Sequence, residues 1–423
     1  MIKSFIFENF KSFEKARLDL ESITSLIGTN SSGKSNAIEG ISILAEVATG
    51  LDLGVILDGT RNNESQVRGG SKACSRFKTN SFKLGCLIDL DENYDLLYEI
   101  RIGTAKRIMI EEESLYKVAN GRINHQGEKI FKTKGRVEES GDIKVEYRNG
   151  KRGTNPDVMC IRTSAVLPQL LGKLPNLIYA HEDNLRYIKL VLDNLKNIFV
   201  LDPIPSEMRD YVRMTDTELK TNCENISAVL YHMCNDVVKK EKLMQIVCNL
   251  PENEVLDIEF VETKLGDVIF GLKERYMSSS ELVDAKKLSD GTLRCIAIIT
   301  AVLTMPPNGV LVIEEIDNGI HPGRVRELIN SLVKLSKERK IDILLTTHNA
   351  SLLNQYDKEQ LMGVTIVYRD REKGTSKLVS FVDLKQYPDI LIEGGVGSAM
   401  LNDTLTAVVK APPKDVDYSW MGV

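Results

Sequence analysis

A run of small polar residues containing one lysine separates an apolar segment from a helical one near the N-terminus. The run, GTNSSGKS from Gly28 to Ser35, matches the pattern G-x-x-x-x-G-K-[ST]. Its two glycines permit close approach of the backbone, and the N–H groups of residues 30–35 would face an anion at a helix N-terminus. Lys34 can reach the β- and γ-phosphates of a nucleotide, and the Ser35 hydroxyl can hold Mg²⁺. A glycine turn before a helix, without a ligand, is the simpler alternative.

The pattern predicts a phosphate-binding loop, with ATP and Mg²⁺ as its cofactors. The residues expected to contact the nucleotide are Gly28, Thr29, Asn30, Ser31, Ser32, Gly33, Lys34, Ser35 and Asn36. Ser35 is also expected to be a metal ligand.

Two acidic residues end the buried-strand run GVLVIEE at residues 309–315. The carboxyl ends of parallel strands are where α/β sheets hold their ligands. We expect Glu314 to support the Mg²⁺ shell and Glu315 to polarise the attacking water. The start of a solvated loop is the alternative. Proteins with such a loop usually carry Asp at the first position, and Glu314, with its longer side chain, would act on the metal through water.

The next buried-strand run, IDILLTTH at residues 341–348, ends on His348. An imidazole at this position can hydrogen-bond the γ-phosphate and orient water. We therefore take His348 as a second catalytic residue. A histidine with a purely structural role at a strand end is the alternative.

A third segment whose residues could contact a ligand is LSDGT, at the start of the apolar run KKLSDGTLRCIAIITAVL (286–303). It predicts a helix that begins near Asp290, with Ser289 or Asp290 as a cap that needs no ligand. The alternative is a second anion site, in which Ser289 and Gly291 face the γ-phosphate held by another copy's loop. That arrangement requires at least a dimer of this chain.

The elements that must position these residues follow from hydrophobic periodicity. Ile23–Ile27 is expected to be a buried strand and residues 36–47 a helix. β-Rich segments at 2–8, 14–20 and 81–155 predict an antiparallel side sheet. Strands at 255–262, 267–272, 309–315, 341–348 and 363–369, with a helical run between the third and fourth, predict a largely parallel sheet. Residues 161–250 are read as helical, with 223–240 as one amphipathic helix, so the fold class is α/β.

Composition is that of a globular protein: 423 residues, 42% hydrophobic and 27% charged. The formal net charge of −5 argues against wholesale coating of nucleic acid. No apolar stretch approaches the roughly 20 residues of a membrane span, and the N-terminus lacks a signal-peptide core. We expect a cytoplasmic protein with no membrane partner. Its seven scattered cysteines are expected to be reduced thiols.

The phosphate loop, LSDGT, the EE pair and TTH, read together, resemble the motifs of an ABC-type ATPase head. The opening FENFKSF (7–13) resembles the RecF/SMC/OLD branch, and IEEIDNGIHP resembles the Walker B motif and D-loop of its AAA15/AAA21 type. This resemblance implies a P-loop ATPase with a mixed sheet, and adds Lys11 and Ser12 to the nucleotide-binding residues. Gln66 becomes a candidate Q-loop metal ligand, although a surface glutamine is the alternative.

The resemblance implies an ATPase head formed by residues 1–160 and 253–423, interrupted by a helical insertion at 161–252. LDPIPSEMR (201–209) and ENISAVL (224–230) resemble the insertion of AAA15/AAA21 proteins. An insertion of this length, broken by prolines, cannot form a long coiled coil. DILIEGGVGS (389–398) resembles the first motif of a Toprim nuclease, but only 25 residues follow it, so no nuclease is expected in this chain.

The resulting hypothesis is the ATPase subunit of a bipartite anti-phage defence system of the PARIS or Septu kind. It implies self-association and a separate effector, often a nuclease. The alternatives are a RecF-like DNA repair ATPase and an ATP-dependent scaffold with very slow hydrolysis. DNA is a further candidate partner, because basic residues are frequent between 129 and 152. Acidic residues interrupt them, so a solvated surface is the simpler interpretation.

Overall fold

The computed structural model describes most of the chain in detail. The described residues are 1–60, 67–122, 127–134, 141–151, 153–176, 181–248, 254–276, 279–347, 349–354, 356–370, 373–384 and 397. Within them the strands are β1 (Ile2–Phe10), β2 (Phe13–Asp19), β3 (Ile23–Ile27), β4 (Ser81–Asp89), β5 (Tyr94–Gly103), β6 (Met109–Ala119), β7 (Glu128–Lys134), β8 (Asp142–Tyr147), β9 (Asp157–Ile161), β10 (Ile198–Leu201), β11 (Val212–Arg213), β12 (Val255–Glu262), β13 (Asp267–Tyr276), β14 (Ser279–Asp284), β15 (Val310–Ile313), β16 (Asp342–Thr347), β17 (Val364–Asp370) and β18 (Thr375–Ser380).

The helices lie on both faces of the larger sheet and around a smaller one. They are α1 (Lys34–Val47), α2 (Leu53–Asp58), α3 (Gly70–Cys74), α4 (Val166–Lys173), α5 (Glu182–Lys196), α6 (Ile226–Met233), α7 (Val237–Val247), α8 (Asp290–Thr304), α9 (Pro322–Arg339), α10 (Ala350–Leu353) and α11 (Lys358–Met362). Short 3₁₀ turns occur at Leu174–Asn176, Glu207–Arg209 and Phe381–Asp383.

The larger sheet has fourteen strands in the order β10-β15-β16-β3-β17-β18-β2-β1-β4-β5-β6-β7-β8-β9. Strands β10, β15, β16, β3 and β17 are parallel, and all of them except β10 were predicted to be strands. From β2 through β1 and β4 to β9 the pairing is antiparallel. The pair Ser376–Phe13, between β18 and β2, joins the two regions. The predicted mixed α/β fold is therefore confirmed, with the antiparallel strands continuing the parallel sheet.

Successive side chains of the central strands point to opposite faces of the sheet, and helices cover both faces of the parallel region. Val310 and Val312 of β15 face a cluster that includes α1 and α5. Leu311 and Ile313 face a second cluster that includes α8 and α9. Burial on both sides fixes the register of β15, because a one-residue slip would exchange the two sets. The residues that follow β15 are thereby held at the carboxyl edge of the sheet.

Two details of the 161–250 segment differ from the sequence-based expectation. Ile198–Leu201, predicted to be helical, is strand β10 and pairs in parallel with β15. The expected single helix at 223–240 is two helices, α6 and α7, with a break at residues 234–236. Asp236 caps α7 by accepting hydrogen bonds from the N–H groups of Val238 and Lys239. The cap competes with continuation of the helix and ends the periodic run.

A second, smaller sheet has the order β11-β13-β12, with β14 also paired to β13. Phe270 and Leu272 of β13 lie in the same apolar cluster as Ile226 and Leu230 of α6. The smaller sheet therefore combines strands from both sides of residue 252. The division of the chain at residues 160 and 252 stays a prediction. The seven cysteines are all free thiols.

A buried carboxylate connects the antiparallel region to helix α4. Glu113 of β6 is fully buried and accepts hydrogen bonds from the backbone N–H groups of Val166 (2.7 Å) and Leu167 (2.8 Å). The Tyr98 hydroxyl donates a third bond, at 3.0 Å. Burial raises the pKa of Glu113 to about 7, although these three donors oppose the shift.

We expect the Glu113→Gln substitution to flatten the pH dependence of the free energy of unfolding. The folded state binds a proton at Glu113 more tightly than the unfolded chain, in which the pKa is about 4.5. Its contribution to stability is therefore greatest below pH 4.5 and is lost as the pH rises to about 7. Urea denaturation from pH 4 to 8 measures the difference between wild type and variant. Glu112→Gln, at a half-exposed neighbour, is the control; equal slopes for wild type and Glu113→Gln would contradict the assignment.

Candidate functional site

The loop between β3 and α1 has a conformation that only glycine can provide at two positions. Gly28 and Gly33 have φ angles of +155° and +121°. A Cβ atom on Gly28 would lie 2.1 Å from the Val367 carbonyl oxygen of β17. One on Gly33 would lie 2.6 Å from the Ser376 Oγ of β18. The β17–β18 hairpin therefore forms the back of the loop, and the glycines let the loop pack against it.

The loop presents a buried cation and a buried hydroxyl group. Lys34 is buried, and its Nζ donates hydrogen bonds to the carbonyl oxygens of Gly28 (2.7 Å) and Thr29 (3.1 Å). Burial lowers the pKa of Lys34 to about 8, and the Glu315 carboxylate opposes this shift. The Ser32 side chain is also buried, and its Oγ has no hydrogen-bond partner in the described residues. A phosphate would satisfy both groups at the N-terminus of α1.

The tip of the predicted phosphate loop lies at the surface. Thr29, Asn30 and Ser31 are exposed, whereas Gly33 is buried and Ser35 is half-buried. Ser31 takes a left-handed conformation with a φ of +63°, which turns the chain at the tip of the loop. The exposed tip is therefore the side from which a ligand or a second molecule can reach the cradle.

The structure brings Ser12 to the phosphate loop and places Lys11 elsewhere. The Ser12 Oγ accepts a hydrogen bond from Asn36 Nδ2 at 2.7 Å. The Lys11 ammonium instead contacts the Glu39 carboxylate of α1 and donates to the Arg68 carbonyl oxygen. Arg68 also pairs with Glu39, at 2.9 Å. Lys11 therefore helps to hold the first turns of α1, and its predicted contact with nucleotide stays a prediction.

The acidic pair and Ser35 line one cavity of about 730 Å³. Glu314 and Glu315 enter it from the end of β15, while Ser35 enters it from α1. Burial raises the pKa of Glu314; Arg68 lowers it, and neighbouring carboxylates raise it further. Glu315 has a φ of +48° and donates its backbone N–H to Thr346 Oγ1 at 2.8 Å. The strand end therefore turns sharply, so that both carboxylates reach the cavity.

Sequence reasoning missed several polar residues of the same cavity. Glu39, Asp202, Arg68 and Arg294 all line it. Glu39 follows Ser35 by four positions on α1 and so shares its helix face, a spacing that was readable from sequence. Asp202 was missed because it follows β10, which was predicted to be helical. Within the described ranges, no group of three or more His, Cys, Asp or Glu side chains is arranged to hold a metal ion by itself.

The LSDGT segment forms the N-terminus of α8. Ser289 caps this helix, and its Oγ accepts a hydrogen bond from the Thr292 N–H at 3.2 Å. Asp290 pairs with Arg209 at 2.8 Å. A Cβ atom on Gly291 would lie 2.6 Å from the Gly319 carbonyl oxygen, in the loop that follows the acidic pair. Ser289 is exposed and is not among the residues that line the cavity with Ser35.

Two predicted site residues, Gln66 and His348, lie outside the described residues. Their assignments as metal ligand and catalytic residue stay predictions. None of the helices within the described ranges is long and apolar enough to span a membrane.

A glycine-rich loop between a buried strand and a helix, with carboxylates at the end of a parallel strand beside it, defines a P-loop nucleotide-binding protein. Residues 23–354 match the family described as "AAA domain, putative AbiEii toxin, Type IV TA system", and the chain belongs to this family. The predicted AAA21 type is confirmed by this match.

Among curated proteins, the chain is similar to ATP-binding subunits of energy-coupling factor transporters. It is 30% identical over 143 residues to EcfA2 of Bacillus cereus, covering 29% of this chain and 48% of that protein. To EcfA2 of Bacillus anthracis it is 30% identical over 147 residues, with the same coverage of 29% and 48%. The chain thus spans about half the length of these relatives.

Solved structures with a similar backbone path include two SMC head domains. One is the SmcHead bound to the C-winged helix domain of ScpA, with 13% identity and a TM-score of 0.49, covering 89% of this chain and 97% of that one. The other is an Smc head domain with an extended coiled coil bound to the C-terminal domain of ScpA, from Pyrococcus furiosus. Its identity is 13% and its TM-score 0.47, with coverage of 93% and 98%.

We expect Lys34→Ala to abolish detectable ATP binding, because it removes the buried cation that faces the phosphates. Charge-assisted hydrogen bonds of this kind contribute about 1.5–3 kcal/mol each. Isothermal titration calorimetry measures the affinity, and Lys15→Ala, at an exposed lysine of β2, is the control. Unchanged affinity in a folded Lys34→Ala protein would show that the loop is not the nucleotide site.

Proposed function

We propose that this protein binds and hydrolyses ATP with Mg²⁺. The observation that carries the proposal is the single cavity lined by Ser35, Glu314 and Glu315 beside the loop that holds Lys34. The loop amides and Lys34 bind the β- and γ-phosphates, and the Ser35 hydroxyl is a metal ligand. Mg²⁺, when bound, neutralises charge that develops on the phosphoryl oxygens.

Each carboxylate has a separate role in this proposal. Glu314 supports the metal shell through water, because it is half-buried and lines the same cavity as Ser35. Glu315 polarises the attacking water, and Asn318, whose Nδ2 lies 3.4 Å from Glu315 Oε2, orients its carboxylate. His348 is the proposed contact to the γ-phosphate. The water that Glu315 polarises is the nucleophile of phosphoryl transfer. The main task of the side chains around it is to orient this water.

The active unit is proposed to be at least a dimer with shared nucleotide sites. Two exposed groups support this: the tip of the phosphate loop at Thr29–Ser31 and the N-terminus of α8 at Ser289. Both suit an anion, since each presents backbone N–H groups at a helix start. Ser289 and Gly291 of one copy would then face the γ-phosphate held by the other. ATP bound between the copies would join them.

The biological role proposed here is control of a separate effector, a nuclease, in bacterial anti-phage defence. The description of the family, which names a toxin of a type IV system, supports this part of the proposal. Direct DNA binding by the antiparallel strands has less support. Lys129 and Lys134 pair with Glu146, and Lys132 pairs with Glu112, so their charges are locally balanced. This balance also disfavours a RecF-like repair role.

A second candidate is an ATP-dependent scaffold that hydrolyses very slowly. The observation that favours it is the position of Glu314, whose pKa is raised by burial and further by the carboxylates of Asp202, Glu315 and Glu39. A higher pKa disfavours the charged form of Glu314, which is the form that supports the metal shell. ATP would then hold the copies and the effector together, and release would follow the rare hydrolysis step. Steady-state turnover with and without DNA or effector separates this candidate from the first.

We expect Glu315→Gln to keep ATP binding and to slow hydrolysis by about 10²- to 10⁴-fold, because the amide cannot polarise water. Phosphate release gives the rate, and calorimetry gives the affinity. Glu327→Gln, at an exposed position of α9, is the control. Normal turnover in Glu315→Gln would place the base elsewhere, with Glu314 and His348 to be tested next.

We expect Ser289→Arg to block hydrolysis while each subunit still binds ATP through its own loop. The arginine would fill the space for the partner's phosphate. Mixed with Lys34→Ala protein, it should form hybrids in which one site carries both lesions and the other carries none, so that activity partly returns. Lys287→Arg, at an exposed neighbour, is the control. Proven hybrids without recovered activity, together with no ATP-dependent association by light scattering, would argue against a shared site.

A further inference from the structure

A serine on the C-terminal hairpin contacts the phosphate loop from behind. Ser376 of β18 is fully buried. Its Oγ contacts the Ser32 carbonyl oxygen of the loop and lies 2.7 Å from the Ser12 Oγ. The Ser12 Oγ also accepts a hydrogen bond from Asn36 Nδ2, at 2.7 Å. Side chains from β18, from the β1–β2 turn and from α1 therefore meet behind one peptide of the loop.

The Ser376 hydroxyl is the donor towards both of its oxygen partners. The Ser32 carbonyl can only accept, so the Ser376 Oγ donates to it. The Ser376 Oγ is also the donor towards the Ser12 Oγ, which accepts a second hydrogen bond from the Asn36 amide. The three side chains therefore form one connected network, in which Ser376 is the member that contacts the loop carbonyl. A buried network of this kind holds the Ser376 hydroxyl in one position.

The hydrogen bond from Ser376 to the Ser32 carbonyl determines where the next N–H group points. The carbonyl of Ser32 and the N–H of Gly33 belong to the same trans peptide and point in opposite directions. Because Ser376 holds the carbonyl towards the back of the loop, the Gly33 N–H is turned away from the hairpin and into the cradle. No acceptor is recorded for this N–H among the described residues. The group is therefore available to an anion.

We propose that Ser376 is a positioning residue that orients the Gly33 amide towards the β-phosphate of a bound nucleotide. The inference rests on the proposed ATP binding and adds a residue that follows all of the recognised motifs in sequence. Its action is indirect, since the hydroxyl touches the loop carbonyl and not the ligand. Ser12 acts through Ser376 in the same way, which gives the FKSF turn a role in the site without direct contact to the nucleotide.

The neighbouring residue on β18 provides an internal comparison. Thr375 is also fully buried, and its Oγ1 has no hydrogen-bond partner in the described residues. Consecutive residues of a strand point to opposite faces, so Thr375 faces away from the loop. Thr375→Val therefore removes a buried hydroxyl from the same strand without touching the loop peptide.

The experiment compares Ser376→Ala with Thr375→Val in two measurements. Titration with ATP should show an affinity about five- to tenfold weaker for Ser376→Ala, as expected for one lost buried hydrogen bond, and an unchanged affinity for Thr375→Val. Hydrogen–deuterium exchange without ligand should show faster exchange in peptides covering residues 28–35 for Ser376→Ala alone. The melting temperature checks that both variants are folded.

A double-mutant cycle tests whether Ser12 and Ser376 act as one network. Ser12→Ala and Ser376→Ala should have strongly non-additive effects on ATP affinity, because either change interrupts the same network. Wild-type affinity and wild-type exchange in Ser376→Ala would overturn the inference, as would an equal loss in Thr375→Val. Failure of the wild-type protein to bind ATP would overturn the proposed function instead. In that case the exchange measurement would still decide whether Ser376 orders the loop.

Discussion

The close approach of the phosphate loop to the β17–β18 hairpin is the contact on which the site depends. Side chains at Gly28 or Gly33 would overlap a hairpin carbonyl and a hairpin serine, at 2.1 and 2.6 Å respectively. Because β17 pairs in parallel with β3, the hairpin is attached to the strand from which the loop emerges. The loop is therefore clamped between its own strand and residues some 340 positions later in the chain. Such a loop need not rearrange its backbone to receive an anion, which lowers the entropic cost of binding.

A second set of contacts connects the antiparallel strands to α1. Glu39 is held by Lys11 from the β1–β2 turn and by Arg68 from the segment before α3. Arg68 also acts on Glu314, whose pKa it lowers. The charges of the cavity are thus balanced by cations from outside the parallel region. This explains why a site made of four short motifs is inseparable from the long antiparallel part of the sheet, whose strands β4–β9 carry none of them.

Elements and site residues could be predicted from the sequence where neighbouring residues determine them, and not where distant residues do. The strand Ile23–Ile27 follows from periodicity and appears at the predicted position. The helix predicted at residues 36–47 begins two residues earlier, at Lys34, directly after the contiguous motif. Strand β10 was missed, because four residues are too few for a periodic signal and its strand character comes from pairing with β15. Asp202 was missed with it. Ser376 was invisible for a different reason: its partners, Ser12 and Ser32, are distant in sequence, and nothing in TSKLVS distinguishes it.

The contact of Gly291 with Gly319 bears on how a shared site would work. Gly319 lies in the loop that follows Glu315, and the Asn318 side chain of this loop approaches the Glu315 carboxylate. With no Cβ on Gly291, the start of α8 packs directly on this loop backbone, so neither can move far without the other. In the proposed dimer, a phosphate held by one copy would touch Ser289 of the other. Through Gly291 and Gly319, that contact would reach the loop that follows Glu315 in this second copy. Binding at one site would therefore be communicated to the catalytic carboxylate of the other through a single backbone contact, with no change required in the sheet.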